Sequence, residues 1–249
     1  MSAPLDRIVA ALLLSAAAAS PAFGADRFRL ELEGGAAWQL RNDFAVPGDA
    51  GTRLSVDDAN PGPVPSLRGT LWWHLGERSS LRLLAAPLRT SATLEPDSAV
   101  DFNGTTFASG RPLDVDYVFD SYRLSYVHRF RSSGPVSFRA GLTAKLRDAK
   151  IELTQGPISS AKTNAGFVPL LYGGVRWQMT DALALDLDVD AAAASQGRAE
   201  DVALRLEAKV SPKVDLFVGA RTLEGGADND EVTSFAWFAY AVGGVAVRF

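Results

Sequence analysis

The sequence contains no cysteine and only two histidines among its 249 residues. Without cysteine the chain cannot form a disulfide, a thiolate metal site or a cysteine nucleophile. His74 and His128 are the whole supply of imidazole, which disfavours metal centres built on several histidines. We therefore expect no metal site and no cofactor.

Beyond its N-terminus the sequence also lacks an apolar run of roughly 20 residues, the length that a membrane-spanning helix requires. Hydrophobic residues make up 47% of the chain and the mean hydropathy is +0.03. A transmembrane β-barrel shows lipid only at every second residue, so its average hydropathy resembles that of a soluble protein. Composition alone leaves both a soluble β protein and a barrel open.

Basic charge is not in excess either, since the formal net charge is -4. Nucleic-acid binding favours a basic face, so we expect no nucleic-acid partner.

The N-terminus has the pattern of an export signal. Arg7 precedes an uncharged apolar core at 8–19, Ser20-Pro21 interrupts it, and Ala22-Phe23-Gly24 offers small residues to signal peptidase. We predict a signal peptide at 1–24, with cleavage after Ala25 as an alternative, and a mature domain at 25–249. A membrane anchor is disfavoured because the apolar core is too short.

The mature chain alternates between apolar and charged residues. In the segment 136–147, Val136, Phe138 and Leu142 oppose Arg139 and Lys145. A period of two over many residues predicts β-strands. The clear runs are 27–39, 67–75, 122–130, 136–147, 182–190 and 201–210, and weaker ones are 80–89, 167–179, 214–221 and 233–249. Within 80–89, Pro87 suggests a bulge and a change of phase.

Short connections alternate with long ones along the chain. Short turns are predicted at 76–79, 131–134, 180–181 and 211–213, and long polar connections at 42–63, 95–113, 155–163 and 223–231, with a shorter one near 196–200. This alternation is typical of outer-membrane barrels, in which periplasmic turns are short. We predict an all-β fold, a closed antiparallel up-and-down transmembrane β-barrel of about ten strands, with eight and twelve as alternatives. An even number places both termini in the periplasm.

Two connections carry local motifs. Asn103-Gly104 is typical of a hairpin tip. The acidic segment 228–231 lacks the spaced ligands of a calcium loop, so we interpret it as a solvated turn.

A soluble β-sandwich would also alternate, but several runs here reach ten residues, near the length of a tilted membrane strand. Aromatic residues on the apolar faces fit interfacial girdles. These aromatic residues are Phe28, Trp38, Trp73, Tyr126, Phe130, Trp177 and Trp237.

The last segment, 234–249, ends on Phe249 with Val247 and Val245 at alternate positions. It resembles the closing strand of bacterial outer-membrane β-barrels, and the resemblance extends to the signal and the strand pattern. It implies an assembly signal formed by Tyr240, Val245, Val247 and Phe249. It also implies an outer-membrane location, and as partners the lipid bilayer with lipopolysaccharide and the barrel-assembly machinery.

The faces opposite the apolar ones are densely charged with both signs. By alternation they point inward, and the expected lumen charge network is Arg29, Glu31, Glu33, Arg68, Arg123, Arg139, Lys145, Arg147, Arg176, Asp186, Asp188, Asp190, Arg205, Glu207 and Lys209. A barrel of this size is nearly filled by its side chains, which favours a packed ion-pair network over a narrow polar pore. For Asp186, Asp188 and Asp190 we expect pairing with Arg205 and Lys209 rather than cation binding.

Barrel enzymes of the omptin and lipid A-modifying types imply a histidine-containing site at the outer rim. Here His74 and His128 both precede predicted periplasmic turns, so that chemistry has no base. The sequence predicts a structural or interaction barrel with a charge-filled lumen. A narrow channel for small polar solutes or ions is the alternative, and a surface enzyme is disfavoured.

Overall fold

The computed structural model describes residues 27–194 and 197–249, and the predicted export signal at 1–24 lies outside them. In these residues no helix is long and apolar enough to cross a bilayer. The regular structure consists of the strands β1 Phe28–Ala45, β2 Leu54–Ser55, β3 Val64–His74, β4 Ser79–Ala86, β5 Arg89–Leu94, β6 Val100–Phe102, β7 Thr105–Phe107, β8 Leu113–Arg129, β9 Val136–Gln155, β10 Ile158–Gln178, β11 Leu183–Ala194, β12 Gly197–Lys209, β13 Val214–Asn229 and β14 Val232–Arg248.

Ten antiparallel wall strands close into a barrel, as predicted. Their order is β1, β3, β4 with β5, β8, β9, β10, β11, β12, β13 and β14, and β14 returns to pair with β1. β4 and β5 count as one wall strand because both pair with β8. Closure removes the free sheet edges that an open sheet would expose to lipid.

The break between β4 and β5 falls at Pro87-Leu88. The predicted change of phase there is wrong, since Leu84, Leu88 and Thr90 are all buried at even positions. Asp120 on β8 compensates for the missing strand pairing: its carboxylate accepts a hydrogen bond from the Leu88 N–H at 3.2 Å and pairs with Arg89 at 2.9 Å.

The two ends of the barrel differ. The turn end carries Phe28, Phe249 and the short connections 75–78, 130–135, 179–182 and 210–213, and the loop end carries 46–63, 95–112 and the hairpin tips. The long connections predicted at 155–163 and 223–231 are wrong. There the strands run on to two-residue turns at 156–157 and 230–231, so these hairpins project further than expected.

Two local predictions at the loop end are confirmed. Asn103 and Gly104, with φ of 47° and 79°, form the tip of the β6–β7 hairpin, because a tight hairpin turn needs positive φ at both positions. The acidic segment ends in a turn in which the Asn229 side chain accepts hydrogen bonds from the N–H groups of Glu231 and Val232, both at 3.0 Å.

The outer wall is apolar, as the alternation predicts. Leu142, Phe167 and Leu171 are each about two-thirds exposed. Aromatic pairs ten residues apart on one strand, Phe28 with Trp38 and Phe167 with Trp177, bound this surface. Ten residues of a strand tilted by about 40° rise roughly 25 Å, the height of the lipid-facing band of a barrel.

The C-terminal residue closes the wall at the turn end. Phe249 and Phe28 exchange two backbone hydrogen bonds of 3.0 Å, and their rings stack with centroids 5.8 Å apart. Phe28 also stacks on Trp73 at 6.1 Å. Of the predicted assembly signal, Val247 lies outside, whereas Tyr240 lies on the opposite face and is buried inside the barrel.

The loop end contains a hydrophobic core inside the wall. Side chains from the connections 46–63 and 95–112 fold inward and pack on β8, β9 and β14. Phe44 and Phe102 meet edge to face at 6.0 Å. Apolar packing therefore fills part of the loop-end lumen, and the charged network lies nearer the turn end.

Candidate functional site

The middle of the lumen holds a network of arginines and carboxylates, which we call the ion-pair plug. It forms because every wall strand directs alternate side chains inward, and nine of the ten wall strands place at least one charged member of the plug at these positions. Its members are the arginines Arg29, Arg68, Arg82, Arg123, Arg139, Arg176, Arg205 and Arg221 and the carboxylates Glu31, Glu33, Asp186, Asp188, Asp190, Asp201, Glu207 and Asp215.

Arg123 stands at the centre of the plug and its side chain is 1% exposed. One guanidinium nitrogen lies 2.9 Å from Asp190 Oδ2 and the other lies 2.7 Å from Asp201 Oδ2. The Asp201 carboxylate also forms ion pairs with Arg68 Nη2 at 2.9 Å and with Arg221 Nη1 at 2.7 Å. Three arginines therefore share one buried carboxylate.

Asp190 is a second convergence point. It accepts hydrogen bonds from Arg82 at 2.6 Å and from the Thr143 hydroxyl at 2.7 Å. The Arg82 guanidinium also lies over the Tyr172 ring, 4.5 Å from its centroid. Buried charges persist when they are paired and hydrogen-bonded, and this arrangement meets both conditions.

Towards the turn end the pairs continue around Arg205. Its guanidinium reaches Glu31 and Asp188, both at 2.9 Å. Arg29 joins Glu31 at 2.9 Å and Glu207 at 3.1 Å. Arg248, at the open mouth, pairs with Asp215.

The three aspartates on β11 are paired, but only partly as expected. Asp186 lies 2.8 Å from Arg139, and Asp188 pairs with Arg205. Asp190 instead pairs with arginines from β4 and β8, across the lumen. The expected pairing with Lys209 is wrong, because Lys209 is exposed at the end of β12.

Two predicted lumen cations lie apart from the plug, towards the loop end. Lys145 is 2% exposed and its Nζ lies 4.8 Å from the centroid of the Phe119 ring. Arg147 is half-buried and donates a hydrogen bond to the Asn164 side chain. Neither has a carboxylate at ion-pair distance in the part of the chain that the structure describes.

Sequence reasoning missed Asp201, which was placed at a strand start and not in the lumen set. Asp201 has an odd residue number, as Arg205 and Glu207 on the same strand do, and alternate residues of a strand share one face. The alternation alone could therefore have assigned Asp201 to the lumen. The inward aromatic residues Trp72 and Tyr172 were also missed as neighbours, although their rings meet at 6.5 Å.

The open space in the lumen is divided by the plug. A cavity of about 540 Å³ lies at the turn end, beside Arg27 and His74. Within the plug, beside Arg68 and Asp188, the free volume is about 20 Å³. At the loop end, cavities of about 390 and 420 Å³ lie beside Arg147. The lumen is therefore open at both ends and filled in the middle.

Both histidines lie at the turn end. His74 Nδ1 is 2.9 Å from Ser80 Oγ, and His128 packs edge to face on Phe130 at 5.4 Å. In residues 27–194 and 197–249 no group of three metal-ligating side chains is positioned to hold a metal ion.

No protein-family model and no curated protein sequence matches the chain. Among solved structures it is similar to the outer membrane protease OmpT from Escherichia coli, with 10% identity, a TM-score of 0.54, and coverage of 93% of this chain and 100% of that one. It is also similar to the transport unit of the autotransporter AIDA-I from Escherichia coli (8% identity, TM-score 0.49, 96% and 98% covered). Neisserial surface protein A is a third neighbour (16% identity, TM-score 0.37, 91% and 100% covered). These likenesses concern the fold, which is that of the bacterial outer-membrane β-barrels.

Proposed function

We propose that this chain, which has the fold of bacterial outer-membrane β-barrels, lies in the outer membrane as a closed, non-conducting barrel that acts through its loop end. The observation that carries the proposal is the ion-pair plug. Between two wide cavities, it leaves only about 20 Å³ of free volume, which is room for about one ordered water molecule and too little for a continuous water-filled path.

The outer surface supports the location. Exposed leucine, phenylalanine and tryptophan side chains cover the wall, and a contiguous apolar surface of this size favours contact with lipid. In this orientation the turn end and both termini face the periplasm and the loop end faces outward, because outer-membrane barrels carry short periplasmic turns. Lipopolysaccharide and the barrel-assembly machinery remain the proposed partners.

An enzymatic role is not part of the proposal. The omptin and lipid A-modifying types imply a histidine at the outer rim, and both histidines of this chain lie at the opposite end. The likeness to OmpT extends to the fold at 10% identity, and a shared fold does not transfer an activity.

Single-channel recording in a planar bilayer tests the proposal. We expect purified, heat-modifiable protein to insert without discrete conductance steps. Reproducible steps of one size would overturn the closed barrel and favour the narrow channel. As a positive control, the triple variant Arg82→Ala, Arg123→Ala, Arg221→Ala removes three plug arginines and should conduct if it folds.

A further inference from the structure

The loop-end cavity beside the plug has an unusual lining. Its walls are mainly apolar, with Tyr117, Phe119 and Phe238 on one side. Small residues leave its volume of about 390 Å³ open, namely Ala192, Ala199, Gly225, Ala227 and Ala236. This volume lies within the roughly 300–1,000 Å³ of small-molecule sites.

Two of the four charged residues that line this cavity lack an ion-pair partner in the described residues, whereas the other two, Arg198 and Glu224, pair with each other. Each of the eight plug arginines lies within ion-pair distance of an acid, and Arg248 joins the same network through Asp215. Lys145 and Arg147 line the cavity instead. Arg147 Nε is buried with no hydrogen-bond partner in the described chain. Buried charges are generally paired, and neither the buried Lys145 nor the half-buried Arg147 has such a partner, so the cavity offers a place for an anion.

The wall beside the cavity is incomplete. β10 pairs with β9 from Ile158 onward, but its pairing with β11 ends at Leu171 and Ala191. Pro169, which has no N–H to donate, lies just beyond the last pair. The edges of this gap, Val168 with Pro169 and Ala192 with Ala193, line the cavity.

The gap opens onto the lipid-facing surface. Leu171 and Phe167 flank it on β10 and are 67% and 65% exposed. Phe167 is also the loop-side aromatic residue that bounds the apolar band. A molecule with an apolar chain therefore has a route into the cavity from the membrane side, between β10 and β11.

We propose that this cavity binds a single-chain amphiphile with an anionic headgroup, a carboxylate or a phosphate. The chain packs against the apolar walls, and Lys145 and Arg147 hold the anion. A free inorganic anion would satisfy the two cations but would leave the apolar walls and the side gap without a role. This inference rests on the proposed membrane location and closed lumen.

Equilibrium binding to the full barrel in phosphatidylcholine nanodiscs tests it, with empty nanodiscs as background. The probes are radiolabelled laurate, dodecyl phosphate, dodecanol and inorganic phosphate. We expect saturable binding of laurate or dodecyl phosphate, with the tighter of the two identifying the headgroup, and at least tenfold weaker binding of dodecanol and inorganic phosphate. Equal binding of dodecanol, or no saturable binding of either anion, would overturn the proposal.

Variants test the residues. The double variant Lys145→Met, Arg147→Met should bind the preferred anion roughly tenfold more weakly or worse, because it removes both charged hydrogen-bond donors to the headgroup. Lys213→Gln, exposed in the turn-end connection 210–213 and distant from the cavity, is the matched control and should bind as the parent does. Ala192→Phe narrows the entrance without altering charge and should also weaken binding.

Heat-modifiable migration shows that each variant is folded before it is measured. A folded double variant with parental affinity would overturn the assignment. The laurate and dodecanol comparison needs only the parental protein, so it decides the question even if a variant fails to fold. Conductance steps in the parental barrel would contradict the closed lumen of the proposed function. They would not change the binding measurements, which test the cavity separately.

Discussion

Arg82 Nη2 lies 2.6 Å from Asp190 Oδ2, although β8, β9 and β10 separate their strands in the wall. The pair therefore spans the lumen and ties opposite sides of the barrel together. Through cross-lumen pairs of this kind, the plug holds the wall strands together as well as filling the lumen.

Asp190→Ala should destabilise the barrel. It removes the shared acceptor of Arg82, Arg123 and Thr143 and leaves two buried guanidinium groups short of a partner. Breaking a buried pair on one side costs about 3–5 kcal/mol. In lipid vesicles, unfolding by guanidinium chloride should have its midpoint at a lower denaturant concentration for Asp190→Ala than for the parent. Asp181→Ala, in an exposed turn, should leave this midpoint unchanged. An unaltered midpoint for Asp190→Ala would show that the plug does not stabilise the wall.

Asp120→Ala should weaken the wall where β4 gives way to β5. The Leu88 N–H and the Arg89 guanidinium each lose an acceptor, and leaving a buried donor unpaired costs about 1–3 kcal/mol. Hydrogen exchange at 86–90 should accelerate. Asp116→Ala, exposed on the same strand, is the matched control, and equal exchange in both variants would contradict the role of Asp120.

Phe102→Ala should loosen the loop-end hydrophobic core. Phe102 is fully buried, and truncating such a ring costs about 3–5 kcal/mol. Limited proteolysis within 95–112 should be faster for Phe102→Ala than for the parent. For Phe102→Leu the cleavage rate should be closer to that of the parent. Thr106→Ala changes an exposed position on the same hairpin, and if it were cut as fast as Phe102→Ala, core packing would not be the cause.

Phe249→Ala should reduce the yield of assembled barrel in cells. It removes the ring that stacks on Phe28 and the aromatic end that the resemblance implies as an assembly signal. The heat-modifiable fraction on gels measures this yield. Phe130→Ala removes another exposed aromatic residue at the turn end, so a similar loss there would indicate a general girdle effect instead of a terminal signal.

Because the chain has no cysteine, single cysteines report its orientation. Thr106→Cys at the loop end should react with a membrane-impermeant maleimide on intact cells. Gly134→Cys, in a turn-end connection with open space around it, should react only after the outer membrane is permeabilised. The reverse pattern would invert the proposed orientation.

Alternation predicted the strand number and the inward face because a closed barrel gives every strand one polar and one apolar side. It could not predict partners such as Arg82 and Asp190, since parity gives the face of a residue but not its height or the strand opposite. The sequence predicts loops at 155–163 and 223–231 because strands that project into water are solvated on both faces and lose the apolar alternation. Asp201 was missed for a different reason: the alternating run in the sequence begins at 201, whereas β12 begins at Gly197 and places Asp201 inside the barrel wall.

For the cavity itself, alternation placed Lys145 and Arg147 on the correct side of the wall but did not indicate that they lack acidic partners. Acidic residues are abundant nearby in the sequence, and only the three-dimensional arrangement shows that, among the described residues, none lies within ion-pair distance of these two cations. The gap beside Pro169 depends on where the pairing of β10 with β11 ends, at Leu171 and Ala191, which the local pattern does not show.

The plug limits the routes by which a molecule can enter and leave the loop-end cavity. It separates the turn-end cavity from the loop-end cavity with no continuous passage. A molecule that enters between β10 and β11 must leave by the same gap or by the loop-end mouth. In the proposed orientation, the proposed amphiphile is therefore captured and released on one side of the membrane, and its occupancy follows the amphiphile content of the outer leaflet alone.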